Sequence, residues 1–320
     1  MSARTNSYRA VLLPIAAVVG FGVCFWNGAA QAALVCAAAI DPLVLGQVSV
    51  RDGYSSPTFG GIHISCSGGV AGSSVQICLQ IGAGSGGATT GLSPRTLRGI
   101  DGTSLDYQLT GYSSYSAGGR PLAALEISVA LDSSGSGAVA PSIYAQITAL
   151  ASAAKVGTYQ STFSGTGVLG FSFGETACTQ TGDIAGFTVS ANVTASCSVD
   201  ATAMDFGIVN GHVRRPLDSS AQIFVSCTNA TPYTVGLDFG TNASDATSTG
   251  RRMTNGVNTA HYGLFHSASR GDSWGLTNET VYTGVGTGSS QSLDIYGRVF
   301  GDQDLASGHY SDSVVIVITY

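Results

Sequence analysis

Charge is scarce in this sequence. Of 320 residues, 13 are Lys or Arg and 19 are Asp or Glu, 10% in all, where an ordinary soluble domain carries roughly 25%. No cluster of Lys and Arg is there to follow a phosphate backbone and the net charge is -6, so no nucleic-acid partner is expected. Beyond the amino-terminal segment no run is apolar enough to span a bilayer, and no stretch holds a convincing 3.6-residue apolar period, which argues against helices. There is no Cys-x-x-Cys pair and no His at finger-like spacing, so neither a zinc site nor any other cofactor is expected. What is present points one way. Hydrophobic residues make up 44% of the chain, too many for a disordered one. The 44 Gly, 13 Tyr and 12 Phe, with abundant Ser and Thr, favour strands joined by turns.

Arg4 and Arg9 precede an apolar stretch from Ala10 to about Phe25, followed by Ala30-Gln31-Ala32. A charged start, an apolar middle and a small-x-small ending are the parts of a secretory leader, so residues 1–32 are read as a signal peptide cleaved after Ala32. A membrane anchor is the competing reading, but Pro14 and Asn27 interrupt the run. The protein is therefore expected to be secreted through the periplasm and to reach the cell surface. Cys24 leaves with the leader, and Cys36, Cys66, Cys78, Cys178, Cys197 and Cys227 remain, an even set in an oxidising compartment.

Cys36 to Cys66 and Cys197 to Cys227 both span thirty positions. Sliding one segment onto the other puts Gly46 on Gly207 and His63-Ile64-Ser65-Cys66 on Phe224-Val225-Ser226-Cys227. With small insertions, Leu79-Gln80-Ile81-Gly82 then falls on Leu237-Asp238-Phe239-Gly240, Tyr107 on Tyr262, Ile143-Tyr144 on Ile295-Tyr296 and Gly157-Thr158-Tyr159 on Gly308-His309-Tyr310. The chain carries two copies of one unit, each long enough for its own core. Short β-branched and aromatic runs such as 222–227, 233–239 and 294–300 are separated by Gly/Ser/Asn turns, so the fold class is all-β, two tandem immunoglobulin-like antiparallel sandwiches. The repeated spacing pairs Cys36 with Cys66 and Cys197 with Cys227, each closing a loop worth roughly 3 to 4 kcal/mol. Cys78 and Cys178 pair by elimination, although six cysteines allow fifteen connectivities.

The second copy resembles the spore coat U domain family, which includes subunits of archaic chaperone-usher pili of the Csu type. The resemblance rests on Phe187–Val193, Cys197, Asp205-Phe206-Gly207, Cys227-Thr228, Thr231-Pro232-Tyr233, Arg252-Met253, Tyr262–Phe265, Trp274-Gly275, Ile295–Val299 and Gly308–Asp312, ending in an apolar strand. The first copy departs from it: the Trp-Gly pair is missing, Ala145-Gln146 stands where the second has Gly297-Arg298, and an extra Cys pair and longer loops appear. A two-domain subunit with a divergent first domain looks like a tip adhesin of such pili. The resemblance implies a pilin-like second sandwich that is incomplete, completed by donor-strand complementation, with a periplasmic chaperone, an outer-membrane usher and the next pilus subunit as partners. The expected domains are residues 33–183, a linker at 184–196 and residues 197–320.

Three sets of residues follow as candidates. The apolar strand containing Val314, Val315, Ile316, Val317, Ile318 and Tyr320 is expected to be the docking edge for chaperone and shaft subunit, because nothing follows it to complete the sheet. An ordinary terminal strand of a closed fold is the alternative. Only Ala33, Leu34 and Val35 stand between the leader and Cys36, too few to complete a neighbour's sheet, so the protein is expected to end a fibre. Phe187, Val189, Ala191 and Val193 alternate with polar residues and are expected to fill a missing strand of the first sandwich within the same chain. Counting hairpins puts the loops at 50–57, 83–94 and 132–141 at one free pole, with Tyr54, Leu92, Ala138 and Val139 as apolar tips that insert into an abiotic or host surface and support biofilm formation. Three such tips burying about 100 Å² each would contribute on the order of 7 kcal/mol before ordering costs. Tyr112 and Tyr115 form an alternative, sugar-stacking platform, which would make the protein a lectin. A structural pilin or coat subunit without adhesive function is the other alternative.

No enzyme is expected. Gly170-Phe171-Ser172-Phe173-Gly174 matches the pattern of a nucleophile elbow, and Gly165–Gly170 that of a dinucleotide loop, but neither has the helix that gives such a pattern its chemistry. His63, His212, His261, His266 and His309 are scattered, with no carboxylate at a recognisable offset.

Overall fold

The computed structural model describes residues 33–49, 57–111, 122–148, 152–247 and 250–320. The leader, Tyr54, Tyr112 and Tyr115 lie outside the described residues. No helix occurs among those described, and none is long and apolar enough to cross a membrane. The strands of the first half are β1 (Val35–Ile40), β2 (Leu43–Val48), β3 (Thr58–Ser67), β4 (Ser74–Ile81), β5 (Ala88–Thr90), β6 (Ser93–Gly99), β7 (Ser104–Thr110), β8 (Ala124–Ala130), β9 (Gly137–Val139), β10 (Ser142–Ile147), β11 (Gly157–Phe163), β12 (Leu169–Gly174), β13 (Gln180–Thr181), β14 (Asp183–Ile184) and β15 (Phe187–Val193). The second half holds β16 (Cys197–Ala201), β17 (Leu217–Cys227), β18 (Pro232–Leu237), β19 (Arg252–Thr254), β20 (Thr259–Phe265), β21 (Tyr282–Val285), β22 (Ser290–Val299) and β23 (Ile316–Thr319).

In the first sandwich one sheet runs β14-β1-β3-β10-β7-β6-β11-β15-β2, with β5 beside β6 and β9 beside β3, and the other runs β13-β12-β4-β8. The second sandwich has the sheets β16-β17-β22-β20-β19 and β21-β18-β23. Each half encloses its own apolar cluster. The cause is the two-residue period of the strands: in β1, Cys36, Ala38 and Ile40 point inward and their neighbours face water, and in β10 the buried Ile143, Ala145 and Ile147 alternate with half-buried residues.

Disulfides join Cys36 to Cys66, Cys78 to Cys178 and Cys197 to Cys227. The first and third are cross-strand pairs at the same place in the two copies, directly opposite in register and both with Cα atoms 4.1 Å apart. Cys178, between β12 and β13, is tied to β4.

The duplication needs one correction of register. The Ile81 amide donates to the Ala123 carbonyl at 3.0 Å, and the Leu237 amide to the Gly275 carbonyl at 3.0 Å. Ile81 is opposite Leu169 on β12, and Leu237 is opposite Ile316 on β23. The counterpart of Leu237 is therefore Ile81 and not Leu79. A slip of two residues keeps every side chain on its face, which is why sequence comparison did not detect it.

Of the three loops expected at one pole, residues 50–56 lie outside the described residues, and the loop at 132–141 does not carry apolar tips. Ala138 and Val139 belong to strand β9, opposite Ser65 and Ile64 of β3, and Val139 packs on the core instead of forming a tip. The turn before β9 bonds to the turn after β3, from Gly69 N to Gly135 O at 3.1 Å. By contrast β2 runs parallel to β15 and ends at the junction with the second half, where Thr194 N donates to Val48 O at 3.3 Å. The carboxyl end of β2 thus lies at the end opposite the 132–136 turn. Hairpin counting failed because a parallel strand pair reverses the expected direction. Leu92 sits half-buried at the β5–β6 turn.

Candidate functional site

The site is defined by comparing one position in the two copies. In the first, β15 lies between β11 and β2, antiparallel to β11 from Gly157 opposite Val193 to Phe163 opposite Phe187, and parallel to β2 from Leu43 to Val48. Phe187, Val189, Ala191 and Val193 are all buried, and the Phe187 ring stacks on Phe163 at 4.5 Å between centroids. Residues 187–193, within the segment expected to be a linker or a strand donated to the first sandwich, are a strand of that sandwich, and only Thr194–Ser196 separate it from β16 of the second. The pairing with β2 shifts register between Ser190 and Asn192, next to Gly46, whose φ of +73° only glycine adopts without strain.

In the second copy the corresponding flanks are present and, among the described residues, the middle strand is not. Met204–Val209 corresponds to β2, including Gly207 at φ +78° in the place of Gly46. Residues 308–314 correspond to β11. Neither forms a strand; apart from an isolated bridge from Ser311 to Thr254, both are irregular. Between them opens a cleft of about 970 Å³, lined by both segments and floored by Leu217, Leu264, Ile295 and Val299. Tyr310, Asp312 and Val314 face it where Tyr159, Ser161 and Phe163 lie beneath β15 in the first copy. Among the described residues nothing fills it: Met204, Phe206, Val314, Ile316 and Ile318 are only partly buried, and Ile208 is 97% exposed.

The apolar terminal strand forms one wall. β23 pairs with β18 alone among the described residues, with Ile316 opposite Leu237 and Ile318 opposite Val235. Ile316 and Ile318 of this strand, with Val314 just before it, pack toward the core, while Val317 and the flanking Val315 and Tyr320 are exposed. An unpaired edge beside an open apolar core is a template for a further strand.

Polar groups brace the cleft from below. The Tyr262 hydroxyl donates to Asp312 Oδ2 at 2.6 Å, and Asn242 donates to Asp312 Oδ1 through its amide at 3.2 Å and its side chain at 3.0 Å. Burial, reinforced by the Asp312 carboxylate, pushes the Tyr262 hydroxyl above its ordinary pKa. Beneath it Arg251 is fully buried, with Nε on Asp238 O at 2.9 Å and Nη2 on Leu237 O at 2.9 Å and Trp274 O at 2.8 Å. Arg95 takes the same role in the first copy, with Nε on Gly82 O at 2.8 Å and Nη2 on Ile81 O at 2.8 Å and Leu122 O at 2.6 Å. Burial lowers the pKa of both guanidinium groups. Sequence reasoning missed these arginines. The signal was available in a charge-poor chain, since one stands twelve residues before Tyr107 and the other eleven before Tyr262.

The other candidate chemistry stays dispersed. Ser172 lies within strand β12 opposite Cys78, with no turn and no helix around it. His63 does have a carboxylate, Asp41 at 3.1 Å, and His212 bonds to Asp304. Both pairs are brought together by the fold and lie at the surface. Among the described residues no His, Cys, Asp or Glu cluster could hold a metal.

Comparison with known proteins places this geometry. The sequence model of the Spore Coat Protein U domain matches residues 27–166 and again 183–317. Protein U of Myxococcus xanthus is 31% identical over 144 residues, covering 41% of this chain and 80% of that protein. A chain of the chaperone-tip adhesion subunit pre-assembly complex CsuC-CsuE, from archaic chaperone-usher Csu pili of Acinetobacter baumannii, has a similar fold. Its TM-score is 0.52 at 15% identity, over 90% of this chain and 100% of that one. The CupB6 tip adhesin of Pseudomonas aeruginosa aligns over 90% of this chain and 95% of its own, with TM-score 0.33 and 10% identity.

Proposed function

Since this chain belongs to the Spore Coat Protein U domain family, we propose that it is a secreted, non-enzymatic tip subunit of a chaperone-usher pilus that mediates attachment to surfaces. The observation that carries this reading is the unequal filling of one position. The first sandwich closes itself with β15, whereas the second leaves the same position as an apolar cleft beside a strand, β23, that pairs on one side only among the described residues. A periplasmic chaperone holds that cleft by adding a strand, and the next pilus subunit replaces it during assembly at the outer-membrane usher. One acceptor site and one self-closed sandwich suit a fibre end. The two-sandwich arrangement shared with a chain of a tip-subunit complex supports the same position.

Attachment is assigned to the end of the first sandwich remote from the junction. There Val35 is 59% and Val70 47% exposed, with Leu34 beside Gly69 and Ala138 exposed nearby. Leu92 and Tyr54 are not needed for this surface. Co-expression with the chaperone should yield a complex that survives purification, and Ile316→Asp with Ile318→Asp should abolish it. The double variant Val35→Ser with Val70→Ser should leave fibres intact and reduce binding to apolar surfaces. A chaperone complex unaffected by the β23 changes would overturn the reading.

A further inference from the structure

Within that reading, the first sandwich specifies what the second must receive. The segment closing it begins before β15. β13 pairs antiparallel with β12, β14 runs parallel to β1, and β15 completes the sheet, so residues 180–193 act as one continuous filler. Two glycines sit at its tightest points. A Cβ on Gly182 would lie 2.5 Å from the Phe171 ring and 2.7 Å from Cys36 O, and one on Gly186 would lie 2.8 Å from Phe163 O. Two of these three obstacles are backbone carbonyls, which do not move aside as a flexible side chain does.

The residues that form these obstacles have counterparts in the second sandwich. Cys197 stands for Cys36, with the same cross-strand disulfide and register. Val314 stands for Phe163, and Ile318 for Phe171 through the shared pairing of Leu169 and Ile316. Tyr310 stands for Tyr159, whose partner across the pair is the small Ala191. Because Ile318 is smaller than Phe171, the first glycine site is somewhat roomier, and the carbonyl of Cys197 remains as its limit.

We propose that the second cleft selects its strand by two glycine sites, accepting a segment of the pattern Gly-x-x-x-Gly-apolar-x-apolar-x-small-x-apolar. It lies antiparallel to residues 308–320 and parallel to 198–209. The partner is thus a polypeptide extension carrying that pattern, and residues 182–193 of this chain are its internal template. The apolar alternation alone sets the face; the glycines and the small residue set the register, and a slip by one residue would turn every apolar side chain outward.

The test uses the full chain and synthetic peptides in a fluorescence anisotropy titration. One peptide copies residues 180–193. A second carries Gly182→Val and Gly186→Val, a third Ala191→Phe, and a fourth keeps the composition with the apolar residues moved by one position. The copy should bind, and each changed peptide should bind at least about tenfold more weakly, the factor that 1.4 kcal/mol carries. Equal binding of copy and valine peptide would overturn the glycine sites while leaving strand addition standing. Binding of the valine peptide without the copy would do the same. If no peptide binds, strand addition itself falls.

Discussion

Replacing Phe187 by Ala tests whether the strand between the two halves belongs to the first. Phe187 is 3% exposed and its ring lies 4.5 Å from that of Phe163, nearly parallel at 8°. Truncating such a side chain removes its transfer free energy and leaves a cavity, about 3 to 5 kcal/mol together. About 0.5 to 1.5 kcal/mol of this should appear as coupling in a double-mutant cycle with Phe163→Ala. At a urea m-value of about 2 kcal/mol/M, the midpoint for the first sandwich should fall by about 2 M. The assay separates the halves, because Trp274, 1% exposed in the second, is the only tryptophan beyond residue 32. Its fluorescence follows the second sandwich while far-ultraviolet circular dichroism follows both. The dichroism transition should move and the fluorescence transition should stay. A shift in the Trp274 transition with no other change would show that β15 supports the second sandwich instead, and the comparison of filled and open positions would collapse.

Other substitutions probe separate parts of the same construction. Arg251→Met strips the Leu237 and Trp274 carbonyls of a charged donor, and the loss of about 3 to 5 kcal/mol should appear in the Trp274 transition. Gly207→Ala, at φ +78° with open space around its Cβ, should cost about 1 kcal/mol by thermal melting, through backbone strain alone. Removing the Cys78–Cys178 link by double alanine substitution opens a loop spanning 100 positions, so urea unfolding should register a loss of about 4 to 5 kcal/mol in the first sandwich. Arg298 holds the Asp218 carboxylate below its ordinary pKa through bonds of 2.7 and 2.8 Å. A depressed carboxylate stabilises above its unfolded pKa of about 4 and loses that contribution as pH falls through the folded value. Melting from pH 6 to pH 2 should therefore be less pH-dependent in Asp218→Asn, by at most about 0.5 kcal/mol at this exposed site.

What the chain revealed in advance were features written as spacing. Thirty positions between cysteines, repeated, indicated both the duplication and the two cross-strand disulfides, because a covalent cross-link at fixed register leaves the same interval in each copy. Alternation over 187–193 marked a strand with one buried face, since a period of two has no other simple cause. Features that depend on direction or depth were hidden. Arg95 and Arg251 look like surface charges until the carbonyls around them are placed. The position of Val139 depends on an added strand pair with β3, and the directions of the loops depend on β15 running parallel to β2. The two strand pairings leave no local pattern in the chain, and the arginines leave only their similar spacing before Tyr107 and Tyr262.

The open position carries a further lesson about strands. Leu43–Val48 and Met204–Val209 share the cysteine-to-glycine interval and a glycine at positive φ, yet one is a strand and the other is not. The segments 157–163 and 308–314 differ in the same way. Local propensity is not the cause, for Met204, Phe206, Ile208 and Val209 are as apolar as Leu43, Val44, Leu45 and Val48. A strand exists through its ladder, and each of these first-copy segments has β15 as a neighbour whose amides and carbonyls bond to it. Without that neighbour both flanks relax together. Filling the second cleft should therefore add three strands at once, the incoming one and its two flanks, and protect amides of 204–209 and 308–314 from hydrogen exchange in one cooperative step. Protection of one flank without the other would mean that the two walls do not share a single strand.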